Sequence, residues 1–188
     1  IKNSKNKIIE IFGKKSLNNF KIDVPGDPSS AAFFVALAIL SKKTKLKIKN
    51  VEINERRIGF YELLIKAGAK IKFKNIRTKS LEKVADLEIK SSKIKPINAS
   101  NEYYVKTADE YPILCVIASL TKGISKFKGV ADLVNKESNR ILEMKKILSQ
   151  IGVKCQTNKN EIKIFGQEKI NIKNKIIKVP NLGDHRIC

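Results

Sequence analysis

The sequence predicts an α/β fold in which one supersecondary unit, βαβαββ, occurs twice. The first indication is periodicity, because apolar residues recur with helical spacing in some segments and with strand-like spacing in those between. The second is helix termination, since Gly68 and Gly152 each follow the second predicted helix of a unit, where glycine is the usual residue. The third is spacing: Asp27 and Asp109 are 82 residues apart, and the two glycines 84. Repeats of this kind imply neighbouring units that share a core.

The first unit is predicted to run from residue 22 to residue 89. Its elements are a short strand at 22–24, an apolar helix at 29–40, a strand at 45–53, an amphipathic helix at 58–66, and strands near 70–73 and 85–89. Asp27, Ser29 and Ser30 stand where the apolar helix begins, and we interpret them as capping and packing residues without a chemical role.

The second unit is predicted to repeat this order. Its elements are a strand at 94–97, helix 112–120, strand 125–130, helix 138–150, and strands near 153–156 and 161–165. A third unit is expected to begin at Asp184, 75 residues after Asp109, so we expect the chain to be a fragment that stops within that unit. Residues 1–22 are expected to be the end of an earlier domain, with a helix at 5–12 closed by Gly13.

The composition is that of a globular protein with a strong positive charge. Of its 188 residues 42% are hydrophobic and 30% are charged, and the net charge is +21. A basic nucleic-acid-binding fragment is therefore one hypothesis. The lysines are scattered through most segments, however, and accompany many Ile and Asn residues, which favours compositional drift of the surface. The sequence has no Trp and no RNA-stacking motif, which also weakens that hypothesis.

No segment of the sequence suggests a membrane span, an export signal or a metal centre. The longest apolar run, 31–40, is about half of a membrane span, and no leader pattern opens the chain. Cys115, Cys155 and Cys188 are interpreted as reduced thiols, consistent with the cytoplasm. One histidine cannot build a metal site alone.

Four polar clusters stand at predicted helix starts, where unpaired N–H groups and a partial positive charge favour anions. They are Pro25-Gly26-Asp27-Pro28-Ser29-Ser30, Ala108-Asp109-Glu110-Tyr111-Pro112, Lys136-Glu137-Ser138-Asn139-Arg140 and Gly183-Asp184-His185-Arg186. The last three add cations and carboxylates. They predict a site that holds a phosphorylated or carboxylated small molecule and moves protons.

Each cluster also has a structural interpretation. Asp109 and Glu110 are ordinary N-cap residues in their own right. Glu137 and Arg140 have the spacing of a surface ion pair on a helix. What favours a site is that the clusters occupy corresponding places in the repeat.

The four clusters resemble the family of 3-phosphoshikimate 1-carboxyvinyltransferase, or EPSP synthase. The matching motifs are Val24-Pro25-Gly26-Asp27-Pro28-Ser29-Ser30-Ala31-Ala32-Phe33-Phe34, Asp109-Glu110-Tyr111-Pro112-Ile113-Leu114, Lys136-Glu137-Ser138-x-Arg140 and Asp184-His185-Arg186. They occur in the family's order, cover nearly the whole chain, and are closer to the bacterial branch than to the plant-like branch.

The resemblance implies an inside-out α/β barrel built from three βαβαββ units per domain, here incomplete. Residues 1–22 would end the first domain and residues 23–188 would form part of the second. Family members are longer, so the resemblance also implies a fragment that is inactive alone and belongs to an enzyme that is a monomer at full length.

The activity implied by the resemblance is transfer of the enolpyruvyl group of phosphoenolpyruvate to the 5-hydroxyl of shikimate 3-phosphate, without metal or organic cofactor and without a nucleic-acid or membrane partner. Asp109 and Glu137 match the family's proton-transfer residues. Asp109, Lys136 and, near the start, Lys2 match contacts to shikimate 3-phosphate. The contacts to phosphoenolpyruvate are matched by Arg140, His185 and Arg186.

Two positions depart from the family pattern. Val134 replaces an arginine and Asn139 an aspartate, which indicates either a lost ion pair or relaxed constraint in a degenerate, inactive relative. Another alternative is UDP-N-acetylglucosamine enolpyruvyl transferase, which shares the fold and the donor. Its acceptor pocket would not require the motifs around Asp109 and Lys136.

Overall fold

The computed structural model describes residues 2–3, 9–14, 16, 18–170, 172, 176–179 and 183–187. The helices are α1 (Pro28–Leu40), α2 (Gly59–Lys66), α3 (Tyr104–Thr107), α4 (Tyr111–Ser119) and α5 (Arg140–Gln150). The strands are β1 (Lys2–Asn3), β2 (Ile9–Glu10), β3 (Lys45–Glu52), β4 (Lys70–Lys79), β5 (Glu82–Lys90), β6 (Asn98–Ala99), β7 (Gly123–Lys128), β8 (Lys154–Asn158) and β9 (Glu161–Gly166). Short 3-10 helices cover Asn101–Tyr103 and Ala131–Asn135.

The two larger sheets have the same topology, which confirms the predicted repeat. In the second sheet the order is β6-β7-β9-β8, with β6 parallel to β7 and the other pairs antiparallel. In the first the order is β3-β5-β4, all antiparallel, and Gly26 bridges in parallel to Val51 of β3. Gly26 therefore occupies the place that β6 has in the second unit.

The first strand of each unit was predicted too early. Residues 22–24 and 94–97 are not in strands, and pairing begins after a proline in both cases, at Gly26 and at Asn98. Pro25 and Pro96 have no N–H to donate to a sheet, which explains the shift. Gly26 N–H donates to Asn50 O at 2.7 Å and its carbonyl accepts from Glu52 N at 2.9 Å.

The predicted helix at 5–12 is wrong where the structure describes it. Ile9 and Glu10 form β2, which pairs antiparallel with β1, and residues 11–12 are irregular. Residues 4–8 lie outside the described residues. A short apolar run does not distinguish helix from strand by periodicity alone, and here the pairing with Asn3 and Lys2 decides.

Strand β4 is longer than predicted because the chain continues past an irregularity in the pairing. Both neighbours of β5 shift register, β3 between Ile48 and Val51 and β4 between Lys74 and Arg77. Asp86 of β5 accepts from Asn50 N at 3.2 Å and from Asn75 Nδ2 at 3.0 Å. Both asparagines have positive φ, which asparagine tolerates better than most residues, so one buried carboxylate fixes both irregularities.

Helices α1 and α4 form the centre of the described structure. Asp27 caps α1 by accepting from Ser30 N at 2.8 Å, with Pro28 in the first turn. Helix α1 packs on β3 and β5, α4 packs on β9, and the two helices contact each other. Their N-terminal ends are neighbours, since Ser29 and Glu110 line one cleft. The elements that carry the polar clusters therefore meet at one end of the fold.

One face of these central helices is apolar and open. Phe34 and Leu37 of α1 are 61% and 64% exposed, and Val116 of α4 is partly exposed as well. A groove beside them is lined by Phe33, Val116 and Ile187. Within the described residues, no helix has the length and apolar character that crossing a membrane requires.

Candidate functional site

Three helix-start segments meet at the N-terminal end of α4. They are the residues before α4, the loop from Lys136 into α5, and the turn at 184–187. They bring together five of the six predicted residues that the structure describes at side-chain level. These five are Asp109, Lys136, Glu137, Arg140 and Arg186.

Arg140 is the centre of this cluster. Its side chain is 1% exposed, and its nitrogens contact three carboxylates. Nε and Nη2 bond Asp184 at 3.0 and 3.2 Å, Nη2 also bonds Glu137 at 2.6 Å, and Nη1 bonds Asp109 at 3.2 Å. Burial opposes the charged guanidinium, but Asp184, Asp109 and Glu137 more than offset this and raise the pKa of Arg140.

Among the described residues, Asp109 is the carboxylate with the most cationic side chains within 4.0 Å, namely three. Its Oδ1 lies 3.2 Å from Arg140 Nη1 and 3.9 Å from Lys136 Nζ, and its Oδ2 lies 4.0 Å from Arg186 Nη2. The side chain is 44% exposed. Asp109 is thus held by buried charge on one side and open to solvent on the other, as a residue that contacts a ligand must be.

Asp184 belongs to one of the predicted polar clusters, but no role was predicted for it. It is fully buried and accepts from Arg140, from Ser138 Oγ at 2.8 Å and from Arg186 N at 3.0 Å. Burial alone would raise its pKa, but these donors outweigh it and lower the pKa of Asp184. Asp184 could have been predicted from the repeat, because it occupies the position that corresponds to Asp109.

The other predicted residues lie at the rim. Glu137 is half-exposed and reaches Arg140, whereas Lys136 is partly buried beside Asp109. His185 lies in the turn at 185–187 with its side chain exposed. Lys2 is described only as a backbone position in β1, so its predicted phosphate contact falls on a side chain outside the description.

The two departures from the family pattern have different surroundings. Asn139 is the N-cap of α5, and its Oδ1 accepts from Leu142 N at 3.1 Å. Asparagine caps helices as well as aspartate does, so this replacement keeps the local function. Val134 lies partly exposed in a 3-10 helix, and nothing in the structure explains it.

A second Asp–Arg pair lies beside the site, in the corresponding place of the first unit. Arg57 Nη2 bonds Asp27 Oδ1 at 2.7 Å, and Arg57 Nη1 bonds Glu52 Oε2 at 2.9 Å. Arg57 Nη2 also lies 3.4 Å from Ser29 Oγ. The repeat therefore places an arginine next to the helix-start aspartate in both units, exposed in the first and buried in the second.

The cluster suits a polyanionic substrate and proton transfer. Guanidinium groups pair with carboxylate and phosphate through two parallel bonds, and exposed carboxylates next to them accept or donate protons. Among the described residues, no group of three or more His, Cys, Asp and Glu side chains is arranged to hold a metal ion.

Comparison with known proteins gives one consistent result. The family described as EPSP synthase (3-phosphoshikimate 1-carboxyvinyltransferase) matches residues 1–188. A protein of that name from Aquifex aeolicus (strain VF5) is 37% identical over 182 residues, which is 96% of this chain and 41% of the relative. One from Thermodesulfovibrio yellowstonii is 42% identical over 173 residues, 92% of this chain and 39% of the relative.

Comparison with solved structures gives the same family. EPSP synthase from Acinetobacter baumannii superimposes with a TM-score of 0.80 at 34% identity, covering 88% of this chain and 38% of that one. The match confirms the predicted α/β fold of repeated units. The chain spans about two fifths of the length of these relatives, 41% for the first.

Proposed function

This chain belongs to the EPSP synthase family, and from that premise we propose that it is part of an enzyme that joins phosphoenolpyruvate to shikimate 3-phosphate. The 5-hydroxyl gives its proton to a base and its oxygen bonds to C2, the enol phosphate carbon of phosphoenolpyruvate, while the methylene carbon gains a proton and becomes a methyl group. The tetrahedral adduct then loses a proton from this methyl group, and its C2–O bond to phosphate breaks, which releases inorganic phosphate and leaves the enolpyruvyl ether.

The observation that carries this proposal is the position of Asp109. Its carboxylate is exposed to solvent, yet it is approached by Lys136, Arg140 and Arg186. A base that serves a hydroxyl must lie within hydrogen-bond reach of it, and two anionic substrates need cations on both sides. Asp109 fulfils both requirements, because it is an exposed carboxylate with cationic side chains around it.

The proposed roles follow the positions of the side chains. Asp109 binds the shikimate hydroxyls and takes a proton, and Lys136 contacts the same substrate. Glu137, half-exposed beside Arg140, transfers the proton at the methylene carbon. Arg140 and Arg186 bind phosphoenolpyruvate, with His185 at the exposed edge.

To bind a substrate, Arg140 must first release one of the carboxylates that it now contacts. All three of its nitrogens are engaged by carboxylates. Its bonds to Asp184 are buried, whereas the side chains of Asp109 and Glu137 are about half exposed and can be reached by a substrate. A substrate carboxylate would take the place of one of these two, and Asp184 would keep the guanidinium in position.

We propose the following domain arrangement. Residues 1–22 belong to the first domain, and residues 23–188 to the second, with a third βαβαββ unit that starts at Asp184. The matching topology of the two sheets supports this, as does the open apolar face of α1 and α4, which a third central helix would cover. Substrates would then bind between the two domains.

We also propose that the protein acts in the cytoplasm as a monomer. Cys115 and Cys155 are free thiols, as expected in a reducing compartment. The alternatives lack such support: no observation favours a UDP-sugar acceptor, and the cluster of carboxylates at the site is unsuited to nucleic acid.

The experiment is a reconstitution. Residues 1–188 replace the matching part of a full-length relative, and release of phosphate from phosphoenolpyruvate is followed with shikimate 3-phosphate or UDP-N-acetylglucosamine as acceptor. We expect turnover with shikimate 3-phosphate alone. Turnover only with the UDP-sugar would overturn the acceptor assignment, and a folded chimera inactive with both would indicate a degenerate relative. DNA binding that falls steeply with salt would favour the hypothesis of a basic nucleic-acid-binding fragment.

A further inference from the structure

Tyr104 is a side chain beside the site that the mechanism above does not use. It is the first residue of α3 and is partly buried. Its hydroxyl donates to Asp132 Oδ2 at 2.8 Å, and its ring stacks on that of Tyr111, with the centroids 6.0 Å apart and the planes 20° from parallel. Tyr111 follows Asp109 closely in sequence, and Asp132 closely precedes Lys136. Tyr104 therefore contacts both of the segments that carry these two site residues.

Asp132 lies in the 3-10 helix that directly precedes Lys136. Besides the bond from the tyrosine hydroxyl, its Oδ1 accepts from Asn135 Nδ2 at 3.4 Å. The helix is also held at its first residue, since Ala131 N donates to Asn160 Oδ1 at 3.2 Å. Hydrogen bonds within a 3-10 helix have poor geometry, so the position of such a short helix depends on contacts with other elements. Asp132 provides the contact on the side of α3.

The bond between Tyr104 and Asp132 joins the same parts of the chain as the ion pair between Asp109 and Lys136. The distance from Lys136 Nζ to Asp109 Oδ1 is 3.9 Å, and both side chains are partly exposed. A long contact between partly exposed groups stabilises little and does not fix a flexible lysine by itself. The tyrosine bond, at 2.8 Å, is the shorter of the two connections.

Both partners of this bond have the protonation state that it needs. Burial and the bond to Asp132 raise the pKa of Tyr104 above its ordinary value, so the hydroxyl remains a donor. The bonds from Tyr104 and Asn135, together with nearby Lys136, lower the pKa of Asp132, so the carboxylate remains an acceptor. The bond is therefore constant around neutral pH, where such a tyrosine transfers no proton.

We propose that Tyr104 is a positioning residue for shikimate 3-phosphate: through Asp132 it holds the segment that carries Lys136 against the start of α4. The proposal rests on the proposed function, which assigns that substrate to this lysine. Phosphoenolpyruvate is assigned to the arginines, and the buried Arg140–Asp184 pair keeps its guanidinium in place without the tyrosine. Loss of the hydroxyl should therefore weaken the binding of one substrate only.

The first test uses the 188-residue chain and needs no activity. Its lysines are acetylated with limiting acetic anhydride, and the rate at Lys136 is compared by mass spectrometry with the rate at exposed Lys145. Tyr104→Phe keeps the ring and removes only the hydroxyl, so Lys136 should react between about twofold and tenfold faster than in the wild type. The matched control is Tyr103→Phe, which removes the neighbouring hydroxyl that contacts Lys66 of α2 and should leave the rate unchanged. Equal rates at Lys136 in the wild type and in Tyr104→Phe would overturn the proposal.

The second test measures both substrates in the reconstituted enzyme. Tyr104→Phe should raise KM for shikimate 3-phosphate between about twofold and tenfold and leave kcat and KM for phosphoenolpyruvate unchanged. Asp132→Ala should have the same effect, and Asp132→Asn, which keeps an acceptor oxygen, should recover most of the affinity. Because the two side chains act through one bond, the double variant Tyr104→Phe/Asp132→Ala should lose no more than the larger single loss.

Two kinetic results would refute the proposal. One is an unchanged KM for shikimate 3-phosphate in Tyr104→Phe. The other is an equal loss for both substrates together with a lower urea midpoint, which would show a structural role only. If the wild-type chimera is inactive, the proposed function fails, whereas the acetylation test still decides whether Tyr104 holds Lys136 in place.

Discussion

Arg140 and Asp184 are 44 residues apart in sequence and share two hydrogen bonds, Nε to Oδ2 at 3.0 Å and Nη2 to Oδ1 at 3.2 Å. Both side chains are buried. The pair joins α5 to the turn at 184–187 and leaves the outward nitrogens of Arg140 for Asp109 and Glu137. This buried pair therefore fixes the position of the Arg140 guanidinium, whereas the carboxylates of Asp109 and Glu137 are exposed to solvent.

The first prediction concerns the stability that this pair provides. Asp184→Asn removes one partner of a buried pair and should destabilise the chain by about 3 kcal/mol, measured by urea unfolding. The control is Asp23→Asn, which removes an exposed ion pair with Lys79 and should change stability by less than about 0.5 kcal/mol. Equal losses in the two variants would contradict the buried pair.

The same variant has a predicted pH dependence. The pKa of Asp184 is lowered in the folded state, so its stabilisation is fully present above its unfolded pKa of about 3.9 and is lost as pH falls through the folded value. The stability difference between wild type and Asp184→Asn should therefore be constant near neutral pH and narrow below about pH 4. A difference that grows on acidification would refute this assignment.

The second prediction separates the two tasks of Asp27, which caps α1 through Oδ2 and pairs with Arg57 through Oδ1. Asp27→Asn keeps a good cap and loses a half-exposed ion pair, so it should cost no more than about 1 kcal/mol. Asp27→Ala loses both and should cost about 2 kcal/mol. Asn139→Ala, which removes only the cap of α5, is the matched control at about 1 kcal/mol. If Asp27→Asn cost as much as Asp27→Ala, the ion pair would dominate.

Most helices and the repeat could be predicted from the sequence because each unit carries its own local signals. Asp27 and Pro28 begin α1, and Gly68 ends α2, so their positions depend only on neighbouring residues. Strand starts at Gly26 and Asn98 were misplaced because pairing depends on a distant partner strand. The irregularities around Asp86 were not predicted for the same reason, since they need three strands at once.

The sequence predicted which side chains belong to the site, but it did not predict their contacts or their burial. Lys136, Glu137 and Arg140 were selected from motif and position, and they do lie together with Asp109. Burial was not predictable: Arg140 and Asp184 are almost completely buried, and Glu110 is buried near them. A motif shows which residues occur together, but which of them are shielded from water depends on elements far apart in sequence.

The third prediction tests the proposed domain arrangement. Leu37→Glu, at a 64% exposed position of α1, should change the stability of the 188-residue chain by less than about 0.5 kcal/mol. When the chain is extended by the part of a full-length relative that follows the matched region, the same change should cost about 3 kcal/mol, since the glutamate would be buried. Ile76→Glu, on the exposed side of β4, should have no effect in either form. An equal effect of Leu37→Glu in both forms would count against a third unit on this face.

The fourth prediction is that the 188-residue chain alone has no measurable transferase activity. The carboxylates and cations of the cluster face solvent on one side, and the proposed substrates lie between this surface and the other domain. Orientation of two substrates and exclusion of water both need that second surface. Phosphate release assayed with both substrates should therefore equal the blank, and turnover by the purified chain would overturn the proposed domain boundary.

The last prediction distinguishes proton transfer from binding in the reconstituted enzyme. Glu137→Gln keeps the size of the side chain and a hydrogen bond to Arg140, but an amide transfers no proton at neutral pH. It should lower kcat by about 10²–10⁴ and leave KM for shikimate 3-phosphate within about threefold. Lys136→Met is the control for the other task, and it should raise KM for shikimate 3-phosphate while the binding of phosphoenolpyruvate is retained.

Arg140→Lys completes the comparison, because an ammonium cannot reproduce the paired contacts of a guanidinium. It should raise KM for phosphoenolpyruvate about tenfold or more, and urea unfolding of the same protein must accompany the kinetics, since the substitution also weakens the contact with buried Asp184. A Glu137→Gln enzyme with near-full turnover would show that Glu137 only balances the charge of Arg140. Asp109, the remaining exposed carboxylate of the cluster, would then have to carry out both proton transfers.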